Sequence, residues 1–331
     1  MTGLAVIGLG AALAPHAKSL LDLKDRVTVV HAVARNAERR RLAGEQYGFP
    51  TSGDAMAAIA DPRVDAVLIL TPTNAHLELA EAAFAAGRHV LCEKPVEVTV
   101  ERGERLIAAA RSADRRLGIM LQMRFRAASQ RLKSLLDANA LGEIQAATLT
   151  VPWWRAQSYY DQPGRGVKAR DGGGVLMIQA IHALDLFRWF VGVSAVEAAM
   201  VRTTALHRME TEDHASALVR LGNGAPGTIV ATVAAYPGGS EQIMVIGSKG
   251  VARMDGSNLR VSYLDGTGDV LEDPAGTGSG TGWMAFPHGP HKAVIADFLD
   301  AIELGRDPAI PGEEALATQR VIDAIINKGQ A

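Results

Sequence analysis

The stretch Thr2-Gly3-Leu4-Ala5-Val6-Ile7-Gly8-Leu9-Gly10-Ala11-Ala12-Leu13 decides how the first third of the chain is read. An apolar run of strand length ends on two glycines one residue apart, and an amphipathic segment follows. In a dinucleotide-binding turn the first glycine permits the sharp bend. The second lets a pyrophosphate approach the amides of a helix N-terminus, where the dipole favours negative charge. The third position of the G-x-G-x-x-G/A pattern is Leu13, so the turn alone is equally compatible with an ordinary strand-to-helix connection.

Outward from this turn the pattern repeats. Residues 2–7, 27–33, 66–70, 89–91 and 117–121 are short apolar runs, and 37–47, 74–86 and 99–111 carry Ala, Leu, Glu and Arg at helical spacing. Strand and helix in alternation predict a doubly wound parallel sheet of the Rossmann type over residues 1–122. From residue 145 the grammar changes to Thr- and Val-rich runs at 146–151, 195–203, 215–221, 227–235, 242–247, 250–254 and 259–264, with turn residues such as Gly222-Asn223-Gly224 between them. These predict a mostly antiparallel sheet, interrupted by helices over 174–190, 292–304 and 313–327, so that residues 123–331 form a second, α+β domain. The glycine-rich stretch 266–282 reads as a surface loop.

Composition excludes several classes of function. The chain has 331 residues, 48% of them hydrophobic and 21% charged, enough for two packed cores and unlike a disordered chain. Lys+Arg 34 against Asp+Glu 36 leaves a net charge of -2, with no basic excess to exploit a phosphate backbone, so nucleic acid is not an expected partner. One cysteine, Cys92, can form neither an internal disulfide nor a thiolate zinc site, and reads as a small strand-end filler. Ala12-Leu13-Ala14 resembles a signal-peptidase site, but no Lys or Arg precedes the apolar run and no stretch reaches membrane-spanning length. A cytoplasmic protein without a membrane partner is expected.

Three further segments sit where open α/β sheets bind ligands. Ala34-Arg35-Asn36 follows the second strand where an acidic residue would accept from an NAD ribose. A small residue followed by arginine instead leaves room for a 2′-phosphate, which favours NADP(H) and keeps NAD(H) possible. Thr71-Pro72-Thr73-Asn74-Ala75-His76 follows the strand-like run at 66–70, and Glu93-Lys94-Pro95 the run at 89–91. Together with Arg124-Phe125 and the segment Gly172-Gly173-Gly174-Val175-Leu176-Met177-Ile178-Gln179-Ala180-Ile181-His182-Ala183-Leu184-Asp185, the chain resembles the glucose-fructose oxidoreductase and inositol dehydrogenase family, Gfo/Idh/MocA, over nearly its whole length.

The resemblance implies an NAD(P)-dependent oxidoreductase that moves a hydride between nicotinamide and a secondary alcohol or ketone of a sugar, cyclitol or sugar acid. It implies Lys94 as catalytic lysine and a cofactor site built from Gly8, Leu9, Gly10, Ala34, Arg35, Asn36, Thr71, Pro72, Asn74, His76, Glu93, Lys94, Pro95, Gln122 and Arg124. His182 is the second catalytic candidate. The family's aspartate four residues before it is here Ile178, so His182 is expected to act with Lys94 in proton transfer, flanked by Gln179 and oriented by Asp185. A homodimer or homotetramer through the open face of the second sheet is also implied.

Trp153-Trp154-Arg155, Tyr159-Tyr160, Arg165, Lys168 and Arg170 set four cations against one acid, Asp161. Aromatic faces suit a sugar or cyclitol ring and arginines suit oxyanions, so Lys94, Trp154, Arg155, Tyr160, Arg165, Gln179 and His182 are the expected substrate contacts. Packing or subunit contact is the alternative for the aromatic residues. His207, Glu210, Glu212, Asp213 and His214 lie on both faces of a strand-like segment, so no metal site is expected there. His288 and His291 are expected to line the substrate cleft or cap a helix. Two other readings stay open: an enzyme that retains its cofactor and uses transient oxidation for a non-redox or internally recycled reaction, and a non-catalytic nucleotide sensor.

Overall fold

The apolar run Thr2–Ile7 is β1, buried at every position and flanked on both sides by parallel strands. Around it the computed structural model, which describes residues 1–273 and 287–330, builds a six-stranded sheet from β2 (Val27–Val33), β3 (Thr51–Ser52), β4 (Ala66–Ile69), β5 (His89–Glu93) and β6 (Leu117–Met120). The spatial order is β3-β2-β1-β4-β5-β6, with every pairing parallel. This is the doubly wound order whose carboxyl edge forms a ligand crevice. Helices α1 (Leu13–Asp22), α2 (Ala37–Tyr47), α3 (Ala55–Ala60), α4 (His76–Ala85) and α5 (Val100–Ser112) connect the strands. The short β3 and α3 carry no strong periodicity and are absent from the sequence-based reading.

The chain divides into two units, one of residues 1–122 and 288–317, the other of 123–287 and 318–330. Helix Gly289–Leu304, expected in the second domain, therefore belongs with the parallel sheet, where it packs on α1, β5 and β6.

The second unit is an eight-stranded sheet of β7 (Ile144–Pro152), β8 (Ala195–Arg202), β9 (His214–Arg220), β10 (Pro226–Thr232), β11 (Gln242–Gly247), β12 (Gly250–Asp255), β13 (Asn258–Tyr263) and β14 (Gly268–Leu271). Its order is β14-β13-β12-β11-β7-β10-β9-β8, antiparallel except for the parallel pair β7 and β10. Strand β14 lies inside the stretch expected to be a loop, because Gly268 to Leu271 can extend the ladder of β13; the rest of that expectation, beyond residue 273, lies outside the described residues. One face of the sheet packs against helix Ile181–Val191, with Leu149, Val151, Ala217, Val219 and Ile229 buried. The other face exposes Met200 and Leu218.

Three helical segments of this unit are additions to the expected set: Ala127–Asp137, Gln157–Tyr160 and Lys168–Asp171. The ion pair of Arg124 and Asp185 anchors the core helix from below, bidentate at 2.7 and 2.6 Å and buried on both sides, with Thr318 Oγ1 donating to Asp185 at 2.9 Å. Removing one partner of such a pair leaves an uncompensated buried charge, worth about 3–5 kcal/mol. Among the described residues no single helix is long and apolar enough to cross a membrane.

The two glycines of the first turn have different reasons for being glycine. Gly8 has φ +111°, and a Cβ there would lie 2.6 Å from the Leu70 carbonyl group. Gly10 is not forced in this way: a Cβ would meet only the Arg39 guanidinium, at 3.7 Å. Gly8→Ala should destabilise the protein by about 1–3 kcal/mol, whereas Gly10→Ala should stay within about 0.5 kcal/mol. Urea denaturation of both variants checks this, and equal effects would contradict it.

Candidate functional site

At the carboxyl edge of the parallel sheet the glycine turn comes first. The Gly8 N–H donates to Val33 O at 2.9 Å, which fastens the turn to the end of β2. Leu13, at the third position of the glycine pattern, is buried at the start of α1. Because Gly10 is not held to glycine by its own backbone or neighbours, the open space above it fits the approach of a pyrophosphate to the amides.

After β2, Asn36 caps α2 by accepting from the Arg39 N–H at 3.0 Å. Arg40 donates to the carbonyls of Ala34 and Arg35 at 2.6 and 2.9 Å, and Arg41 pairs with Glu38 and Glu45. Arg35 and Arg39 remain exposed, and among the described residues their side chains form no hydrogen bond or ion pair. Arg39 is an addition to the expected cofactor residues, marked only by standing beside the turn in space.

After β4, Thr71 and Pro72 lead into the single turn Thr73–Ala75 and then α4. Thr71 Oγ1 is buried with no hydrogen-bond partner among the described residues, as is Gln122 Oε1 at the end of β6. Asn74 is exposed. His76, expected at the cofactor, is instead a buried strap: its Nδ1 lies 3.1 Å from Pro95 O and its Nε2 3.2 Å from Thr71 O. Burial lowers its pKa. The ring is spent on holding together the two loops that follow β4 and β5.

Glu93 ends β5. Its Oε1 meets His16 Nε2 of α1 at 2.7 Å, and its Oε2 accepts the Lys94 N–H at 3.2 Å. Burial pushes this carboxyl up, but the His16 bond and the charges of His16, Lys94 and His291 outweigh it and bring the pKa down to about 2. An ionised, nearly buried carboxylate therefore stands beside the backbone of Lys94. His16 and His291 pack edge to face, 5.1 Å apart, and His288 precedes the helix of His291 and pairs with Asp22 at 3.0 Å.

Ligand atoms of His16, Glu93 and His291 all lie within 4.8 Å of one another, and two histidines with a carboxylate are a donor set that zinc accepts. Both Glu93 oxygens are already engaged in hydrogen bonds. His16 was missed at the level of sequence because a lone histidine in an apolar helix carries no motif. Cys92 is fully buried in β5, and burial raises its thiol pKa well above the ordinary value.

In the second unit the glycine-rich segment opens a π turn, Val175–Gln179, in which the Ala180 N–H reaches Val175 O at 2.8 Å; an α-helix, Ile181–Val191, follows. Glu212 shapes it, accepting the N–H groups of Gly174 and Leu176 at 2.9 and 3.1 Å, and a Cβ at Gly174 would sit 1.9 Å from Glu212 O. Burial raises the Glu212 pKa against these backbone bonds. Because the π turn interrupts the helix, the four-residue spacing of Ile178 and His182 no longer places them on one α-helical face. His182 is half-buried, and Gln179 Oε1 is buried with no partner among the described residues.

Two expectations for this unit are corrected. Asp185 does not orient His182, because both its oxygens are taken by Arg124, and Arg124 is for the same reason not free to hold a cofactor. The acidic and histidine residues at 207–214, expected on alternating faces of a strand, lie in a loop except for His214 of β9: His207 bonds Asp213, Glu210 accepts the Lys168 N–H, Glu212 holds the π turn and His214 meets Ser216.

In the aromatic patch, Arg165 donates to Tyr159 Oη and Gln162 and lies 4.0 Å above the Tyr159 ring. Arg170 faces Asp171 at 3.7 Å, and Lys168 is exposed. Tyr160 is buried, and burial raises its pKa. Trp154 packs edge to face with Tyr236 at 5.5 Å.

The family model described as an oxidoreductase family with an NAD-binding Rossmann fold matches residues 2–121, and that of the GFO/IDH/MocA C-terminal domain matches residues 129–253. Among curated relatives, the myo-inositol 2-dehydrogenase of Thermotoga maritima is 28% identical over 93% of this chain and 90% of its own length. The inositol 2-dehydrogenase of Rhizobium meliloti is 27% identical over 97% and 94%. The WlbA dehydrogenase of Bordetella pertussis, solved with NADH and UDP-GlcNAcA, superposes with a TM-score of 0.85 at 27% identity, covering 99% of this chain and 96% of that one. Matched on both of its units, and aligned nearly end to end with dehydrogenases of this kind, the chain belongs to the Gfo/Idh/MocA family of NAD-binding oxidoreductases.

Proposed function

We propose that the protein oxidises or reduces a secondary alcohol or ketone of a sugar, cyclitol or sugar acid, with Lys94 and His182 as its acid–base groups. The observation that carries this reading is the Glu93 carboxylate, held ionised at the carboxyl end of β5 and bonded to the Lys94 N–H. A fixed negative charge next to Lys94 favours its ammonium form, and an ammonium stabilises alkoxide character on the reacting hydroxyl. His182, at the second residue of its helix, takes the hydroxyl proton. When bound, the nicotinamide accepts the hydride from the carbinol carbon. Inositol dehydrogenases among the relatives support a cyclitol or sugar substrate.

NADP(H) is the favoured cofactor in this reading. No acidic side chain stands among the first four residues after β2; Arg35 is uncommitted there and Arg39 is uncommitted beside the glycine turn, both suited to a 2′-phosphate. The WlbA structure was solved with NADH, so NAD(H) remains the competing cofactor. Self-association through the outer face of the eight-stranded sheet, where Met200 and Leu218 are exposed, completes the proposal.

Lys94→Met should bind NADPH within about threefold of wild type and lose about 10²–10⁴-fold in turnover with whichever of myo-inositol, D-glucose or D-glucuronate the wild type oxidises. Surviving turnover would remove Lys94 from the mechanism, and oxidation of none of the three by the wild type would count against the substrate class. Arg35→Asp should weaken NADPH at least tenfold more than NADH in nicotinamide-fluorescence titrations, and equal losses would overturn the 2′-phosphate assignment. Sedimentation velocity should show a dimer or larger species; a monomer at micromolar concentration would contradict self-association.

A further inference from the structure

In the second unit Arg155 combines a backbone fixed by hydrogen bonds with a guanidinium that makes no ion pair among the described residues. Arg155 continues from β7, and its N–H donates to Val233 O at 2.9 Å. Its carbonyl accepts from His207 Nε2 at 2.8 Å, and His207 is anchored through Nδ1 on Asp213 Oδ2 at 2.7 Å. Asp213 is in turn held by the N–H and Oγ1 of Thr204, at 2.8 and 2.6 Å. The backbone of Arg155 is thus pinned by a buried histidine–aspartate pair, the kind of support that preorganises a binding residue.

The side chain makes no comparable commitment. Among the described residues its guanidinium forms one hydrogen bond, from Nη1 to Trp154 O at 2.7 Å, and no ion pair. It lies 5.5 Å from the Trp153 ring and 5.9 Å from the Tyr159 ring, and the charged or ionisable groups that act on it are Tyr159, Tyr160 and Arg165, with no carboxylate among them. Burial pulls its pKa down, as expected for a cation partly removed from water without a counter-charge. Two more donors nearby are unspent: Tyr160 Oη and Trp153 Nε1 are buried with no hydrogen-bond partner among the described residues. Buried donors without acceptors are rare, and these two mark a polar neighbourhood around the guanidinium.

From this arrangement we infer that Arg155 is the receptor for a substrate carboxylate, and that the substrate is an acidic polyol of the uronate or aldonate type. The planar guanidinium fork matches a carboxylate in two parallel hydrogen bonds, and the aromatic faces beside it suit the C–H face of a sugar. Arg165 and Arg170 are unsuited to the same task, because the first is spent on Tyr159 and Gln162 and the second faces Asp171. The inference deepens the proposed oxidoreductase function by naming its substrate class. Its test reads binding rather than turnover, so the two can fail separately.

Calorimetric titration of the full-length protein, with and without saturating NADH, compares matched pairs: D-glucuronate with D-glucose, and D-galacturonate with D-galactose. Each acid should bind at least tenfold more tightly than its neutral partner. Arg155→Gln should abolish that preference, and Arg155→Lys, which keeps the charge but not the fork, should restore part of it. An unchanged circular dichroism spectrum and melting temperature show that each variant is folded, a control that covers the second unit, where Arg155 lies. Equal binding of acid and neutral sugar, binding of neither acid, a preference that survives Arg155→Gln, or tighter binding of D-glucose 6-phosphate than of D-glucuronate would each overturn the inference. Acid binding that depends on Arg155 in a protein that takes up neither NADH nor NADPH would uphold it while removing the oxidoreductase reading.

Discussion

A single nearly buried carboxylate, Glu93, ties together the elements at the ligand edge of the parallel sheet. It takes His16 from the helix that follows the glycine turn, the Lys94 N–H from the loop after β5, and the field of His291 from the helix that returns late in the chain. Segments distant in sequence are thereby drawn onto one negative charge. Burial opposes that charge, so its survival depends on all these partners being in place. His76 repeats the arrangement with carbonyl groups, joining the loops after β4 and β5 without entering the chemistry itself.

The second unit follows the same rule with different means. Glu212 satisfies the amides at the start of a π turn that could form only because Gly174 leaves room for the Glu212 backbone. Asp213, its neighbour, fixes His207 and through it Arg155. Two adjacent acids, expected from sequence to lie on opposite faces of a strand-like segment, are the internal framework of the π turn and of the Arg155 backbone. Asp185 and Arg124 do this for the core helix.

The fold was legible because its signals are periodic and local. The alternation of apolar runs and amphipathic segments predicts the parallel sheet, and the helix expected over 37–47 is observed as Ala37–Tyr47, bounded by the Asn36 cap and a left-handed Gly48. Elements without periodicity, such as Thr51–Ser52 and Ala55–Ala60, left no trace in the pattern. The candidate positions were legible where motif and strand end coincide, at Gly8, Gly10, Glu93 and Lys94, whose placement at the carboxyl edge the structure gives. The site was not legible where a role depends on a partner far along the chain. Nothing in sequence tells Arg124 from a cofactor ligand until Asp185 is found opposite it, or sets Arg155 apart from Arg165 until Tyr159 and Gln162 are seen to occupy the latter.

The charge on Glu93 is the central claim, and it can be read directly. Carbon-13 NMR of glutamate-labelled protein, with Glu93→Gln used to assign the resonance, follows this one carboxyl through a pH titration. The Glu93 signal should stay at its ionised position down to at least pH 4, while exposed glutamates move with ordinary midpoints near 4.3. A Glu93 midpoint at or above that ordinary value would mean that the carboxyl is not held ionised by His16 and Lys94, and would contradict the account of how Lys94 is positioned.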